Sequence, residues 1–166
     1  MGTSKVLVGN VGKTMWIKME GRGTFQNSGG IKEFTQQLIN RGHRDFVIDL
    51  QDCEMMDSTF MGTLAGIALR LKEMGQGELR AVRANARNRE LLENLGLDRI
   101  IHVEAHLHEP APTATDLAEK EALDDDGAHK TVLAAHEALV KADPANAARF
   151  QDVLEFLRHD DEGEAN

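Results

Sequence analysis

A nearly continuous apolar run, Phe46-Val47-Ile48-Asp49-Leu50, constrains the fold of this chain more than any other feature. A strand with one face in water alternates apolar and polar side chains, whereas an unbroken apolar run is typical of a strand that is covered on both faces. Such strands belong to sheets with helical layers, in which helical crossovers join parallel strands. The run therefore predicts a central strand of an α/β sheet.

Shorter strands and amphipathic helices surround this run in alternating order. Residues 5–9 and 14–19 are predicted as two strands joined by a turn, which favours an antiparallel pair. The other predicted elements are, in chain order, a helix over residues 29–41, the apolar strand, a helix over 58–74, a strand over 79–82, a helix over 87–94 and a strand over 100–103. This order predicts a mixed sheet of four or five strands.

The charge of the chain changes near residue 109. Residues 1–108 carry 14 Lys and Arg against 13 Asp and Glu, whereas residues 109–166 carry 5 against 15. The second part opens with Glu109-Pro110-Ala111-Pro112-Thr113, which is typical of an extended linker and which we place at about residues 109–116. We therefore predict a domain over residues 1–108 and an acidic helical extension over residues 109–166.

The extension carries two helical patterns. Residues 130–141 are predicted as one helix, and Asp143-Pro144 as the cap and first residue of a second helix. Residues 124–127 are an acidic break, and residues 160–166 are predicted as a frayed acidic tail. The apolar stripes of the two helices need a surface to pack on. Three surfaces are open to them: the domain itself, which is the simplest case, a second copy of the chain, and a partner protein.

Composition excludes several classes of function. The net charge of −9 argues against sequence-independent nucleic-acid binding and against docking on an anionic membrane. The single cysteine, Cys53, excludes an intramolecular disulfide and fits a reducing, cytoplasmic location. The sequence shows no secretory signal and no apolar run of about 20 residues that would span a bilayer. We expect no cofactor, no nucleic acid and no membrane among its ligands.

The most informative stretch begins where the apolar strand ends. The chain leaves the sheet at the carboxyl end of the strand and enters a helix at Asp57-Ser58-Thr59. Sites tend to form at this edge of an open α/β sheet, and the first turn of a helix presents unpaired N–H groups that can hold a phosphate. A phosphate on Ser58 would be held there by these donors without refolding the domain. The same residue types are preferred helix caps, so a purely structural role is the alternative.

Apolar side chains flank Ser58 on both sides, among them Met55, Met56, Phe60 and Met61. A phosphate would add about −1.5 to −2 charges among them and oppose docking of a partner. This predicts an apolar docking patch with a chargeable hydroxyl at its centre. The predicted partner-binding residues are Asp57, Ser58, Thr59, Phe60, Met61 and Met56.

Residues 5–103 as a whole resemble the STAS family, the sulfate transporter and anti-sigma-factor antagonist domains. The stretch IDLQDCEMMDSTFMGTL looks like the strand–loop–helix motif of that family, and NRELLENLGLDRIIHV, residues 88–103, is similar to its last helix and strand. The residues that match the motif are Asp49, Leu50, Asp57, Ser58, Thr59, Gly62 and Leu64. Phe60 and Met61 depart from it, since many members have a small residue there. The fold class implied is α/β, a STAS-like mixed sheet with helices, followed here by a C-terminal helical extension.

The resemblance implies an anti-sigma factor antagonist that acts by partner switching in bacterial signal transduction and transcription regulation. The unphosphorylated antagonist would sequester an anti-sigma factor that is itself a serine kinase. That kinase would phosphorylate Ser58 and end the complex, and a phosphatase would reverse the modification. Asp57 would shape the loop and contact the partner, and Thr59 is a secondary acceptor. The alternative is a constitutive STAS subunit of a scaffold or transporter complex that has no phospho-switch.

A metal site is one competing interpretation. Ligand types alternate at the end of the last predicted strand, at His102, Glu104, His106 and His108. If the strand continued that far, these side chains would share a face and could ligate a metal. Nothing in the sequence fixes a tetrahedral geometry, so an exposed edge that runs into the linker is the simpler interpretation.

A catalytic cysteine is the other competing interpretation. Cys53 would be the nucleophile and His43 its base, but a lone cysteine in a strand-end loop is more often a small, partly buried apolar residue. The glycine-containing turns match neither a Walker loop nor a dinucleotide fingerprint. We therefore predict a binding protein rather than an enzyme.

Overall fold

The computed structural model describes residues 4–113, 116–120 and 128–164. The strands found there are β1 (Lys5–Val11), β2 (Thr14–Gly23), β3 (Asp45–Asp49), β4 (Cys53–Met56), β5 (Glu78–Val82), β6 (His102–Glu104) and β7 (Ala118–Lys120). The helices are α1 (Phe25–Asn40), α2 (Ser58–Glu73), α3 (Ala86–Asn94), α4 (Ala128–Ala142) and α5 (Asn146–Glu164), with a short 3-10 helix at Leu97–Arg99. The predicted α/β order is confirmed.

The sheet is mixed, as the sequence predicts. Its main path has the spatial order β6-β5-β3-β2-β1-β7. The pairs β2–β3, β3–β5 and β5–β6 are parallel, whereas β1 is antiparallel to both β2 and β7. The expected number of four or five strands is too low, because β4 and β7 are short strands that the predictions leave in a loop and near the linker.

Strand β2 continues through Gly21-Arg22-Gly23, where the sequence predicts its end. β2 pairs in parallel with β3 as far as Lys18 and with β4 from Gly21 onward, with a register shift between Gly21 and Arg22. At the end of this pairing the Asp57 N–H donates to the carbonyl of Gly23 at 2.8 Å. The predicted loop thus contains a strand that fixes where α2 begins.

Helix α1 starts four residues before the predicted position at Gly29. Thr24 caps it: its hydroxyl accepts from the Gln26 N–H at 3.2 Å, and its own N–H donates to the side chain of Asn27 at 2.8 Å. This reciprocal capping satisfies donors that are otherwise unpaired at a helix start. The helix therefore tolerates Ser28, Gly29 and Gly30 in its first turns.

The ends of the extension helices also differ from the predictions. Asp143-Pro144 lies in the turn before α5, with the Asp143 carboxylate accepting from the Ala145 N–H at 3.1 Å. Helix α5 runs to Glu164, so the prediction of a frayed tail is wrong for residues 160–164. Residues 165–166 and the acidic break at 124–127 lie outside the described residues.

Both faces of β3 are buried, as its apolar run predicts. Phe46 and Ile48 belong to the main core with α1 and α2, and Val47 points to the opposite face because side chains alternate along a strand. Among the described residues, the side chains that cover this second face come from the segment after β6. The cluster there consists of Trp16, Val47, Val82, Leu107, Ala111 and Leu117.

The extension packs on the sheet domain. β7 extends the sheet beside β1, and α4 packs on α2 and α1 with Leu139 fully buried in the main core. Of the three surfaces considered for the extension helices, the domain itself is the one that α4 packs on here, and a second copy or a partner stays an untested alternative for α5. The division at residue 108 stays a prediction about sequence organisation, since the segments on either side of it pack together.

Candidate functional site

Asp57 joins the amino ends of two helices. Its Oδ1 accepts from the Phe60 N–H at 2.8 Å and caps α2, while its Oδ2 accepts from the Phe25 N–H at 2.9 Å at the start of α1. One carboxylate therefore neutralises part of the positive dipole end of both helices. Asp57 therefore has the helix-capping role that the sequence analysis gives as the structural alternative. Its two hydrogen bonds also bring the start of α1 close to Ser58 at the start of α2.

Ser58 is the first residue of α2 and its side chain is half-buried. Its Oγ lies 2.9 Å from Nε2 of His136 in α4, a residue 78 positions further along the chain. The other ring nitrogen of His136, Nδ1, lies 2.8 Å from the carbonyl oxygen of Val132. A carbonyl can only accept, so Nδ1 carries a proton, and in the neutral ring Nε2 accepts from the Ser58 hydroxyl. Ser58 is therefore hydrogen-bonded to the C-terminal extension.

The expected apolar docking patch is not on the surface. Met56, Thr59, Phe60 and Met61 are each at most 5% exposed, so the expectation of an exposed patch is wrong. The reason is that β4 and the first turn of α2 turn these side chains into the core. Phe60 fills the space beside Gly23, where an added Cβ would lie 2.9 Å from its ring. A partner-binding role of these four residues stays a prediction.

Two residues at the site were missed from the sequence. Phe25 follows the cap of α1 and is 46% exposed, so it is the large apolar side chain that this corner presents to solvent. The Thr24–Asn27 capping pair was the available signal, since it sets the helix start at Phe25. His136 carried no signal, because its contact with Ser58 depends on how the extension packs.

A partly buried ion pair joins the carboxyl ends of β3 and β5. Asp49, 1% exposed, accepts from Nε of Arg83 at 3.2 Å and also contacts its Nη2. Arg83 adopts a left-handed backbone conformation with φ of 59°. The pairing holds this non-glycine residue in a conformation that is unfavourable for L side chains. Asp49 thus supports the sheet edge from which the site rises.

Cys53 has the properties of a core residue. It is 2% exposed, its Sγ donates to the carbonyl of Met55 at 3.3 Å, and burial raises its pKa to about 11. The thiolate is the nucleophilic form, so this thiol is unreactive at neutral pH. The catalytic interpretation of Cys53 with His43 loses its chemical basis.

The alternating histidines do not form a metal centre in the described part of the chain. His102 Nε2 lies 3.3 Å from a carboxylate oxygen of Glu78, across the β5–β6 pair. Within residues 4–113, 116–120 and 128–164, no three His, Cys, Asp or Glu side chains are grouped to hold a metal ion.

A family model matches the chain to the STAS domain over residues 6–110. The chain belongs to the STAS domain family. The match contains Asp57, Ser58 and the whole sheet except β7, so α4 and α5 lie beyond the STAS domain. A search of curated protein sequences found no match.

Solved structures share the STAS fold. A crystal structure of a candidate anti-sigma factor antagonist from Thermotoga maritima is similar with a TM-score of 0.54 and 20% identity, over 65% of this chain and 86% of that chain. The anti-sigma factor antagonist SpoIIAA in its unphosphorylated form gives 0.53 and 18%, over 59% and 86%. The phosphorylated form of SpoIIAA, a Bacillus cell fate determinant, gives 0.50 and 16%, over 60% and 89%.

A search of the described helices of this STAS protein for an apolar segment that could span a membrane finds none.

Proposed function

We propose that this STAS protein is an anti-sigma factor antagonist that binds a serine-kinase anti-sigma factor when Ser58 is unphosphorylated. Phosphorylation of Ser58 by that kinase ends the complex, and a phosphatase restores it. The observation that carries the proposal is the position of Ser58, at the first residue of α2 beside the Asp57 cap. The solved neighbours add support, since they include an antagonist in unphosphorylated and phosphorylated forms.

The switch follows from the electrostatics of this corner. A phosphate on Ser58 would lie in the positive field at the amino end of α2, where the helix dipole favours an anion. It would bring about −1.5 to −2 charges next to the carboxylate of Asp57. A partner that docks here with an acidic or apolar surface would then meet like charge and a desolvation penalty.

The contact surface that we propose consists of Phe25, Asp57 and Ser58. Phe25 supplies exposed aromatic area, Asp57 keeps the two helix starts together, and Ser58 carries the switch. In this proposal the protein is a non-enzymatic binding module of the bacterial cytoplasm, without a nucleic-acid or membrane partner. The buried thiol of Cys53 supports the absence of catalysis.

Affinity capture with three variants of the full chain tests the proposal. Ser58→Ala, Ser58→Asn and Ser58→Asp are immobilised and exposed to an extract of the native cells, and captured proteins are identified by mass spectrometry. Ser58→Asn is the matched control, since it has the shape of Ser58→Asp without its charge. We expect the first two variants to capture a serine kinase, and Ser58→Asp to bind it at least about tenfold more weakly, because like-charge contacts oppose association.

Equal capture by the Asn and Asp variants would contradict the charge switch. If all three variants retained the same non-kinase proteins, the constitutive scaffold or transporter-complex interpretation would replace it.

A further inference from the structure

The extension beyond the STAS match lies on the helix that begins with Ser58. Helix α4 packs more extensively on α2 than on its neighbour α5 or on α1. Ser58 and Gly62, one turn apart on α2, both face α4. The hydroxyl at the centre of the proposed contact surface is therefore in contact with a segment of the same chain.

The two helices approach each other closely at Gly62. An added Cβ on Gly62 would lie 2.2 Å from the carbonyl oxygen of Ala135 and 2.6 Å from its carbonyl carbon. Both are backbone atoms, so α4 has no side-chain rotation that would relieve the overlap. Any side chain at this position therefore prevents α4 from docking as it does here.

The hydrogen bond between Ser58 and His136 leaves no room for a phosphate. The 2.9 Å between Oγ and Nε2 is the length of a direct hydrogen bond, whereas a phosphate would place a phosphorus atom and three oxygens in that gap. His136 is 3% exposed, and its ring packs edge-on to Phe150 of α5 at 5.1 Å. With α4 docked as it is here, a phosphorylated Ser58 therefore cannot keep this hydrogen bond to His136.

A pocket lies beside α4 and is partly open to solvent. It has a volume of about 90 Å³ and lies between α1, α2 and α4, with Thr35, Ile39, Ile67 and Thr131 among its lining residues. Small side chains, among them Ala134 and Ala135, form the α4 wall of this pocket. Solvent therefore reaches part of the boundary between α4 and the domain.

The other end of α4 is held by polar contacts at a distance from Ser58 along the helix. Lys141 pairs with Glu73 at the last residue of α2, and both side chains are more than half exposed. Beyond α4, the Asn146 amide donates to the carbonyls of Leu139 at 2.8 Å and Leu95 at 3.0 Å. These contacts add to those that favour the docked position of α4.

We propose that α4 is an intramolecular cover for Ser58, which a kinase or other partner reaches only after α4 has moved away from α2. The cover reduces the apparent affinity of any such partner in proportion to the fraction of molecules that are open. The identity of the partner rests on the proposed function, whereas the cover itself does not.

Thiol labelling at position 58 tests the cover without a partner. The full chain carrying Ser58→Cys is reacted with 5,5′-dithiobis(2-nitrobenzoic acid), alone and combined with Gly62→Ala or Gly66→Ala. Gly66 is the matched control, because an added Cβ there meets only the Ala138 Cβ at 3.8 Å, an ordinary contact. Native Cys53, buried with a raised pKa, gives the background and reports global unfolding if it begins to react.

We expect Gly62→Ala to accelerate labelling at position 58 by at least about tenfold while Cys53 stays slow, since labelling follows the open population. Gly66→Ala should change the rate less than twofold. Lys141→Glu, an exposed charge reversal opposite Glu73, should also accelerate it and does not disturb the core. Equal rates for the two glycine variants together with no effect of Lys141→Glu would overturn the cover. The phospho-switch is tested separately, by the capture experiment with the Ser58 variants.

Discussion

Asp57 illustrates how one side chain connects sequence chemistry to the position of the site. Its carboxylate satisfies N–H groups at the starts of both α1 and α2. In the sequence, Asp57-Ser58-Thr59 identifies only the start of α2. The second bond, to Phe25, spans 32 positions and depends on β4 pairing with the end of β2. Residue types predicted the cap, and tertiary pairing supplied its second partner.

We expect Asp57→Ala to lower the free energy of unfolding by about 2 kcal/mol, because it removes the cap of α2 and also the hydrogen bond to the Phe25 N–H at the start of α1. Asn85→Ala is the matched control, since Asn85 caps only α3, through the Asn88 N–H at 2.7 Å. That variant should lose about 1 kcal/mol. Urea denaturation of both variants measures the difference. Equal losses would mean that the bond between Asp57 and α1 contributes nothing.

At the scale of elements, the sequence predicts best where periodicity and stop signals agree. The apolar run of β3, the stripe of α2 and the glycine after α3 place those elements to within one or two residues. β4 and β7 have no alternating pattern and are short, and each exists because a neighbouring strand offers an edge. The start of α1 was misplaced because Ser28, Gly29 and Gly30 are weak helix formers on their own.

The corrected start of α1 makes Phe25 a testable contact. We expect Phe25→Ala to weaken binding of the captured kinase by about tenfold or more, because exposed aromatic residues often dominate interfaces. Phe156→Ala is the control, as Phe156 is 70% exposed on α5, outside the proposed surface. Titration calorimetry measures both variants. Equal affinities would remove Phe25 from the contact surface.

At the scale of the whole molecule, the main difference from the sequence concerns how the extension relates to the site. Composition separates an acidic extension from a nearly neutral domain, and the STAS match ends at residue 110. The structure packs α4 of that extension on α2, with His136 against Ser58. The amphipathic pattern of α4 required a surface without specifying which one. The close approach at Gly62, a residue also present in the STAS motif, is one of the contacts that identify that surface.

The most direct test of the central claim is phosphopeptide mass spectrometry on the protein isolated from its native cells, before and after stress. Trypsin releases Ser58 between Arg44 and Arg70, together with Thr59 and Thr63, and fragmentation assigns the modified hydroxyl. The account predicts phosphate on Ser58 with an occupancy that changes with the condition. Absence of phosphate from Ser58 and Thr59 under every condition would contradict it and leave Asp57-Ser58-Thr59 as a helix start in a constitutive binding module.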